Sequence, residues 1–269
     1  MENLMKRAKK IILTLVQIIL VAVIIYSVYE IGIYYYQNYR STKKLNEVSE
    51  QVTKIEKDIE VNNKGKELSK KEKDKLAKKI IADLKKRNKD IKAFIKAKDF
   101  KVNFPATYLF ENNETYLFSD LDGNWSRPGT LMVNGYNNPD FSDMNTTIFG
   151  HNLRTNPEMY APMFKLLLTL ENKDIVNSKD EFIIEVYTEQ GYHEYKIFTA
   201  YYSDVNDYYI QANRNKDEWV EYLNKVKNKS INKFKYEPKF TENSKILTLS
   251  TCDNETLEGR FVVHAVEVE

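Results

Sequence analysis

Three residues in this chain carry side chains suited to thiol-based acyl transfer. Cys252, the sole cysteine, ends the segment Thr248-Leu249-Ser250-Thr251-Cys252, directly after the apolar pair Ile246-Leu247. Arg260 lies eight residues later and opens the apolar run Phe261-Val262-Val263. His151 closes Thr147-Ile148-Phe149-Gly150-His151. Each stands at the edge of a predicted strand. A thiolate attacks carbonyls where a thiol does not. An imidazole can move protons, and a guanidinium can stabilise the thiolate or the oxyanion that forms on the substrate. A lone cysteine excludes an intrachain disulfide and marks a reactive thiol if the domain is extracellular. An inert buried cysteine is the plainer alternative.

The other titratable residues fit chemistry less well. Strict alternation in Val262-Val263-His264-Ala265-Val266 reads His264 as structural or surface. His193, after Gln190-Gly191-Tyr192, is expected in an exposed hairpin turn. Asp253 reads as a solvated loop carboxylate and not a triad member, and a charge beside the thiol would also oppose thiolate formation. One cysteine and three scattered histidines do not form a zinc set. No metal or cofactor is expected.

These residues need elements to hold them. From Phe100 onward, short β-rich runs alternate with Asn, Asp, Gly and Pro. Examples are Thr115–Phe118, Thr130–Val133, Thr146–Phe149, Glu181–Tyr187, Tyr195–Tyr201, Lys245–Ser250 and Phe261–Val268. Asp122-Gly123, Asn134-Gly135 and Gln190-Gly191 are turn signals. The expected class is mainly β, a closed or nearly closed barrel with peripheral helices. Met163–Leu170 reads as a short helix, and Lys216–Val226 as a longer one with Trp219, Leu223 and Val226 on one face.

The N-terminal part differs. Residues Ile11 to Tyr29 carry no charge and are interrupted only by Thr14, Gln17 and Ser27. As a helix they span ~29 Å, about a bilayer core. Lys6, Arg7, Lys9 and Lys10 precede them, and Tyr26, Tyr29, Tyr34, Tyr35 and Tyr36 follow as an interfacial cluster. The expectation is an uncleaved signal-anchor, N-terminus cytoplasmic, with the remainder outside the cell. A cleaved signal peptide would have a shorter apolar run and small residues at its exit. Leu45, Val48, Val52, Ile55 and Ile59 give the next stretch helical periodicity, and a solvated spacer is expected over 37–68. Asn62-Asn63-Lys64-Gly65 should break it. Ser69 and Glu72 form a capping-box pattern for a second helix with an apolar face at Leu76, Ile80, Ile81 and Leu84. Ile91, Phe94 and Ile95 read as its continuation. The division is thus 1–36 tail and anchor, 37–75 charged helical stalk, and 76–269 catalytic domain with its N-terminal helices. The net charge of +2, with basic residues concentrated before residue 102, gives no nucleic-acid signature.

Thr-Leu-Ser-Thr-Cys252 with Arg260, preceded by Gly150-His151-Asn152, resembles the sortases, class B most closely. The resemblance covers about 91–269 and includes Asp207-Tyr208-Tyr209-Ile210 and Glu218-Trp219-Val220-Glu221-Tyr222-Leu223. It implies an eight-stranded sortase barrel with the longer helix inserted between strands six and seven. It also implies a membrane-anchored cysteine transpeptidase of Gram-positive bacteria. Cys252 would attack a threonine carbonyl in the sorting signal of a secreted protein, giving a thioester. His151 would protonate the leaving amine and deprotonate the incoming one. Arg260 would hold the substrate backbone and the oxyanion. Ser250, Thr251, Tyr209 and Ile210 would serve substrate binding. The acceptor would be an amine of a peptidoglycan precursor or stem peptide. Pro105-Ala106-Thr107-Tyr108 and Tyr116-Leu117-Phe118 depart from the family pattern along the groove. A pilin-polymerising enzyme and a non-enzymatic membrane-tethered binding module are the alternatives.

Overall fold

The computed structural model describes the chain apart from residues 63–65, 113, 154, 155, 158, 257 and 269, and the side chains of 60 and 62. The break expected at Asn62-Asn63-Lys64-Gly65 therefore lies, from residue 63 on, outside the described residues.

Eight strands close a barrel in the order β1-β2-β3-β4-β7-β8-β6-β5. They are β1 Ile91–Ala97, β2 Val102–Thr107, β3 Leu131–Val133, β4 Asn145–Phe149, β5 Ile183–Thr188, β6 Tyr192–Asp204, β7 Ile246–Cys252 and β8 Gly259–Val268. The β2–β3 and β4–β7 pairs are parallel, and the remaining pairs antiparallel. Leu247, Leu249, Phe261, Val263 and Ala265 point into the interior with Phe104, Leu131 and Ile184. The alternate residues of β7 and β8 face outward, where helix α4 (Lys216–Asn228) covers Ile246, Val262 and Val266. Trp219, Leu223 and Val226 of α4 pack on Phe198, Tyr201, Val262 and Val266. Trp219 Nε1 also donates to Ser244 O at 2.7 Å. As expected, α4 lies in the segment between β6 and β7.

Three expected elements changed type. Ile91, Phe94 and Ile95 belong to β1, not to a helix. Phe94 packs under the helical layer while Ala93 and Ile95 enter the barrel core. A strand covered on both faces loses its period-two pattern, so apolar spacing alone misassigns it. Thr115–Leu117 is a 3-10 turn and not a strand, and the predicted short helix at Met163–Leu170 is a 3-10 helix over Lys165–Glu171. The five-residue α3 follows at Lys173–Asn177.

Helix α1 runs unbroken over Glu2–Asn62. Its first part is exposed throughout its apolar run. Its second part is docked, which corrects the solvated-spacer expectation for 37–68. Leu45 joins the main core, and Val48 and Val52 are buried against α2 (Lys70–Leu84). Ser49 Oγ donates to Asn103 O, and Ser41 Oγ shares a hydrogen bond with Ser126 Oγ. Lys96 pairs with Glu56 at 2.7 Å, and Ala161 N donates to Thr42 Oγ1 at 2.9 Å. The apolar periodicity at 45–52 is therefore a packing face, not a by-product of a solvated helix. Helix α2 starts at the expected box, where Ser69 N donates to Glu72 Oε2 at 2.8 Å. Leu76, Ala77, Ile80, Ile81 and Leu84 form its buried face. Each large side chain there contributes roughly 1.5–3 kcal/mol as an upper estimate.

Candidate active site

Cys252 ends β7 and Arg260 sits near the start of β8, and the two are direct cross-strand partners. Opposed residues in an antiparallel pair project to one face with Cβ atoms about 5 Å apart. Cys252 is exposed, and its thiol is free. Arg260 is half-buried, with Nη1 donating to Gly259 O at 3.0 Å.

His151 comes from the other neighbour of β7. The parallel β4–β7 ladder matches Phe149 with Ser250, and Gly150 N donates to Ser250 O at 3.2 Å. Two residues further on, His151 stands level with Cys252. Gly150 is needed here: a Cβ would lie 2.6 Å from Leu131 Cδ2 and 2.8 Å from Phe164 Cδ2. His151 Nε2 donates to Leu117 O at 2.8 Å, and the Phe118 ring lies 5.5 Å from the imidazole. Burial holds the His151 pKa below its ordinary value; the Leu117 bond opposes this and the Arg127 charge adds to it. The imidazole is thus neutral near pH 7, with Nε2 protonated and Nδ1 carrying the lone pair. Among the described residues Nδ1 makes no hydrogen bond. The sequence reading allowed a protonated His151 beside the thiolate. Burial of the ring works against that protonated form, and Arg260 carries a fixed positive charge opposite Cys252.

The backbone around the thiol is tied down. Asn152 Nδ2 donates to Cys252 O at 3.0 Å, and Asn254 Nδ2 donates to Asn152 O at 2.8 Å. Asp253 is no solvated carboxylate: it is 7% exposed and accepts from Glu255 N, Thr256 N and Thr256 Oγ1. Burial raises its pKa, but these bonds and the Arg260 charge outweigh it, so the carboxyl stays below its ordinary range. It braces the β7–β8 turn. Gly259 allows this, since a Cβ there would fall 1.9 Å from Asp253 Oδ2.

The remaining predicted site residues separate into two groups. Ser250 lies on the Cys252 face but is buried, its Oγ 2.9 Å from Tyr209 OH. Tyr209 is itself buried, and Ile210 beside it is half-buried. Both come from the β6–β7 segment and sit over the face that ends in Cys252. Thr251 alternates to the opposite face, is buried, and its Oγ1 has no partner among the described residues. It is not brought together with the others.

His264 is structural. It is fully buried, with Nδ1 2.7 Å from Thr248 Oγ1 and Nε2 2.9 Å from Tyr201 OH. Thr248 Oγ1 donates to Asn145 Oδ1 at 2.6 Å, so it must accept from His264 Nδ1, and Tyr201 donates to Nε2. Asn145 Nδ2 then donates to Tyr209 O at 2.7 Å. This chain fastens the Tyr209 segment to the barrel wall. Burial pushes the His264 pKa down to about 3. His193 is not in an exposed turn; it lies in β6, with Nδ1 2.6 Å from Glu267 Oε1.

Sequence reading missed Leu117 and Phe118 as the supports of His151, and Asn145 as the clamp on Tyr209. A backbone carbonyl acceptor leaves no trace in residue type. Asn152 could be found, since it follows His151 directly.

The sortase-domain family profile matches residues 112–268. Sortase B of Listeria monocytogenes is 26% identical over 249 residues, covering 91% of this chain and 92% of that protein. Among solved structures, sortase B of Clostridium perfringens aligns with a TM-score of 0.62 at 27% identity, covering 70% of this chain and 99% of that one. A sortase B complexed with triglycine aligns with a TM-score of 0.63 at 26% identity, covering 72% and 87%. With a thiol and a guanidinium paired across β7 and β8, an imidazole level with them on β4, and this barrel, the chain belongs to the sortase family of cysteine transpeptidases, in class B.

Proposed function

We propose that the chain cleaves the C-terminal sorting signal of a secreted protein and joins the new carboxyl end to a cell-wall peptidoglycan amine. The observation that carries this reading is the direct pairing of Cys252 with Arg260 beside His151. Nδ1 of neutral His151 takes the thiol proton as Cys252 Sγ bonds to the threonine carbonyl carbon. Arg260 and backbone N–H groups hold the oxyanion. On collapse the C–N bond breaks, the imidazolium gives its proton to the leaving amine, and a thioester remains. The acceptor amine then attacks, His151 removes its proton, and the departing thiolate recovers it. Ile210 lines the groove, and buried Tyr209 supports it through Ser250. The relative complexed with triglycine supports a peptide amine as acceptor.

Placement follows the same reading. Helix α1 anchors the chain in the cell membrane, and Lys6, Arg7, Lys9 and Lys10 hold its N-terminus in the cytoplasm, leaving the catalytic domain outside. The test is mass spectrometry of a sorting-peptide library incubated with the protein and candidate amines. Ligated products that disappear in Cys252→Ala support the reading. Hydrolysis or ligation persisting in that variant contradicts it.

A further inference from the structure

The contacts between α1 and the barrel fix how high the catalytic domain stands above the bilayer. The uncharged run ends at Tyr29, and Tyr34 and Tyr35 follow within ~9 Å along the helix axis. A leaflet's polar layer is about 5–8 Å deep. The barrel's loops reach down to that level. Arg127 lies over the Tyr34 ring, 4.9 Å from its centroid, and Tyr160 packs against Tyr35 at 6.4 Å. Beside these two residues are two large apolar side chains without cover, Trp125 at 62% and Met159 at 65% exposure.

We infer that the rim formed by Trp125, Arg127, Met159 and Tyr160 is a second membrane contact, resting in the lipid headgroup layer into which α1 runs. This rests on the membrane-anchor reading of α1. The occupant follows from the continuity of α1: it is docked on the barrel from Asn38 onward, so the rim cannot leave the bilayer without breaking that packing. The chemistry agrees. Trp and Tyr favour the membrane–water interface, and a guanidinium matches lipid phosphates.

The contact bears on the active site. Trp125 and Ser119 form an antiparallel bridge, and Ser126 N donates to Phe118 O at 2.8 Å. The same segment supplies Leu117 O and Phe118, which orient His151. The imidazole end of the site therefore opens next to the membrane surface, and lipid contact stiffens the segment that holds the imidazole.

The chain's two tryptophans make this testable, because Trp219 is fully buried and Trp125 is exposed. The full chain is reconstituted in phosphatidylcholine–phosphatidylglycerol vesicles, with nitroxide quenchers placed either on the headgroup or near the acyl-chain end. Flotation with the vesicles in high salt tests the anchor separately. The inference expects the headgroup quencher to reduce tryptophan emission more than the deep one. It also expects Trp125→Phe to abolish that loss. Flotation with emission unchanged by the headgroup quencher overturns the rim contact and leaves the anchor standing. Failure to float overturns both.

Discussion

Arg260 faces Cys252 directly across β7 and β8, so the guanidinium and the thiol share one side of the sheet without any loop rearrangement. The eight-residue separation in sequence is a tight strand connection braced by Asp253 and permitted by Gly259.

Arg260→Lys keeps the charge and loses the planar fork of donors. It should lower kcat/KM on a cleaved sorting peptide by ~10²–10³, or about 3–4 kcal/mol of transition-state stabilisation. Circular dichroism and melting check that the variant is folded. A folded Lys variant within about threefold of wild type leaves only a general electrostatic role.

Burial depresses the His151 pKa, so the base form persists below the ordinary histidine range. The acid limb of kcat/KM should lie below pH 6.5, the unperturbed value. Phe118→Ala opens the imidazole to water and should move that limb upward. An unmoved limb would show that His151 burial does not govern the profile.

The barrel and the candidate trio were legible because they rest on side-chain identity and alternation. Leu247, Leu249 and Val263 inward against Thr248, Ser250 and Val262 outward is a period-two pattern. What was not legible rests on what covers each face. Ile91–Ala97 looked helical because α1 and α2 bury its outer side. The spacing at Leu45, Val48 and Val52 was visible, but not the surface it meets. The resemblance implies substrate binding at Ser250 and Thr251, yet Thr251 points into the barrel and Ser250 lies beneath Tyr209.

Docking of α1 predicts a cost for short truncations. A protein beginning at Gln37 keeps the α1–α2 packing. One beginning at Lys75 loses Leu45, Val48 and Val52 and cuts α2, which starts at Lys70. At roughly 1.5–3 kcal/mol per buried side chain, the shorter form should melt lower by on the order of 10 °C. Equal melting temperatures by calorimetry would show that the helices add nothing to the barrel.

His264 should make stability pH-dependent. Its folded pKa is about 3 against 6.5 unfolded. Above pH 6.5 neither state binds the proton and stability is full; below it only the unfolded state does. Stability therefore falls as pH drops from 6.5 toward about 3, by about 1.4 kcal/mol per pH unit. Urea unfolding at pH 7.5 and pH 5 should show His264→Gln losing about 2 kcal/mol less than wild type over that interval. Identical losses would place the pH dependence elsewhere, His151 included.

The most direct measurement is intact-protein mass spectrometry of the enzyme mixed with a sorting peptide in the absence of acceptor amine, followed by tryptic mapping. The expected result is one added acyl fragment ending at the threonine, labile to hydroxylamine, on the peptide that contains Cys252. An adduct on any other peptide, or peptide turnover by Cys252→Ala, would contradict thioester transfer through Cys252.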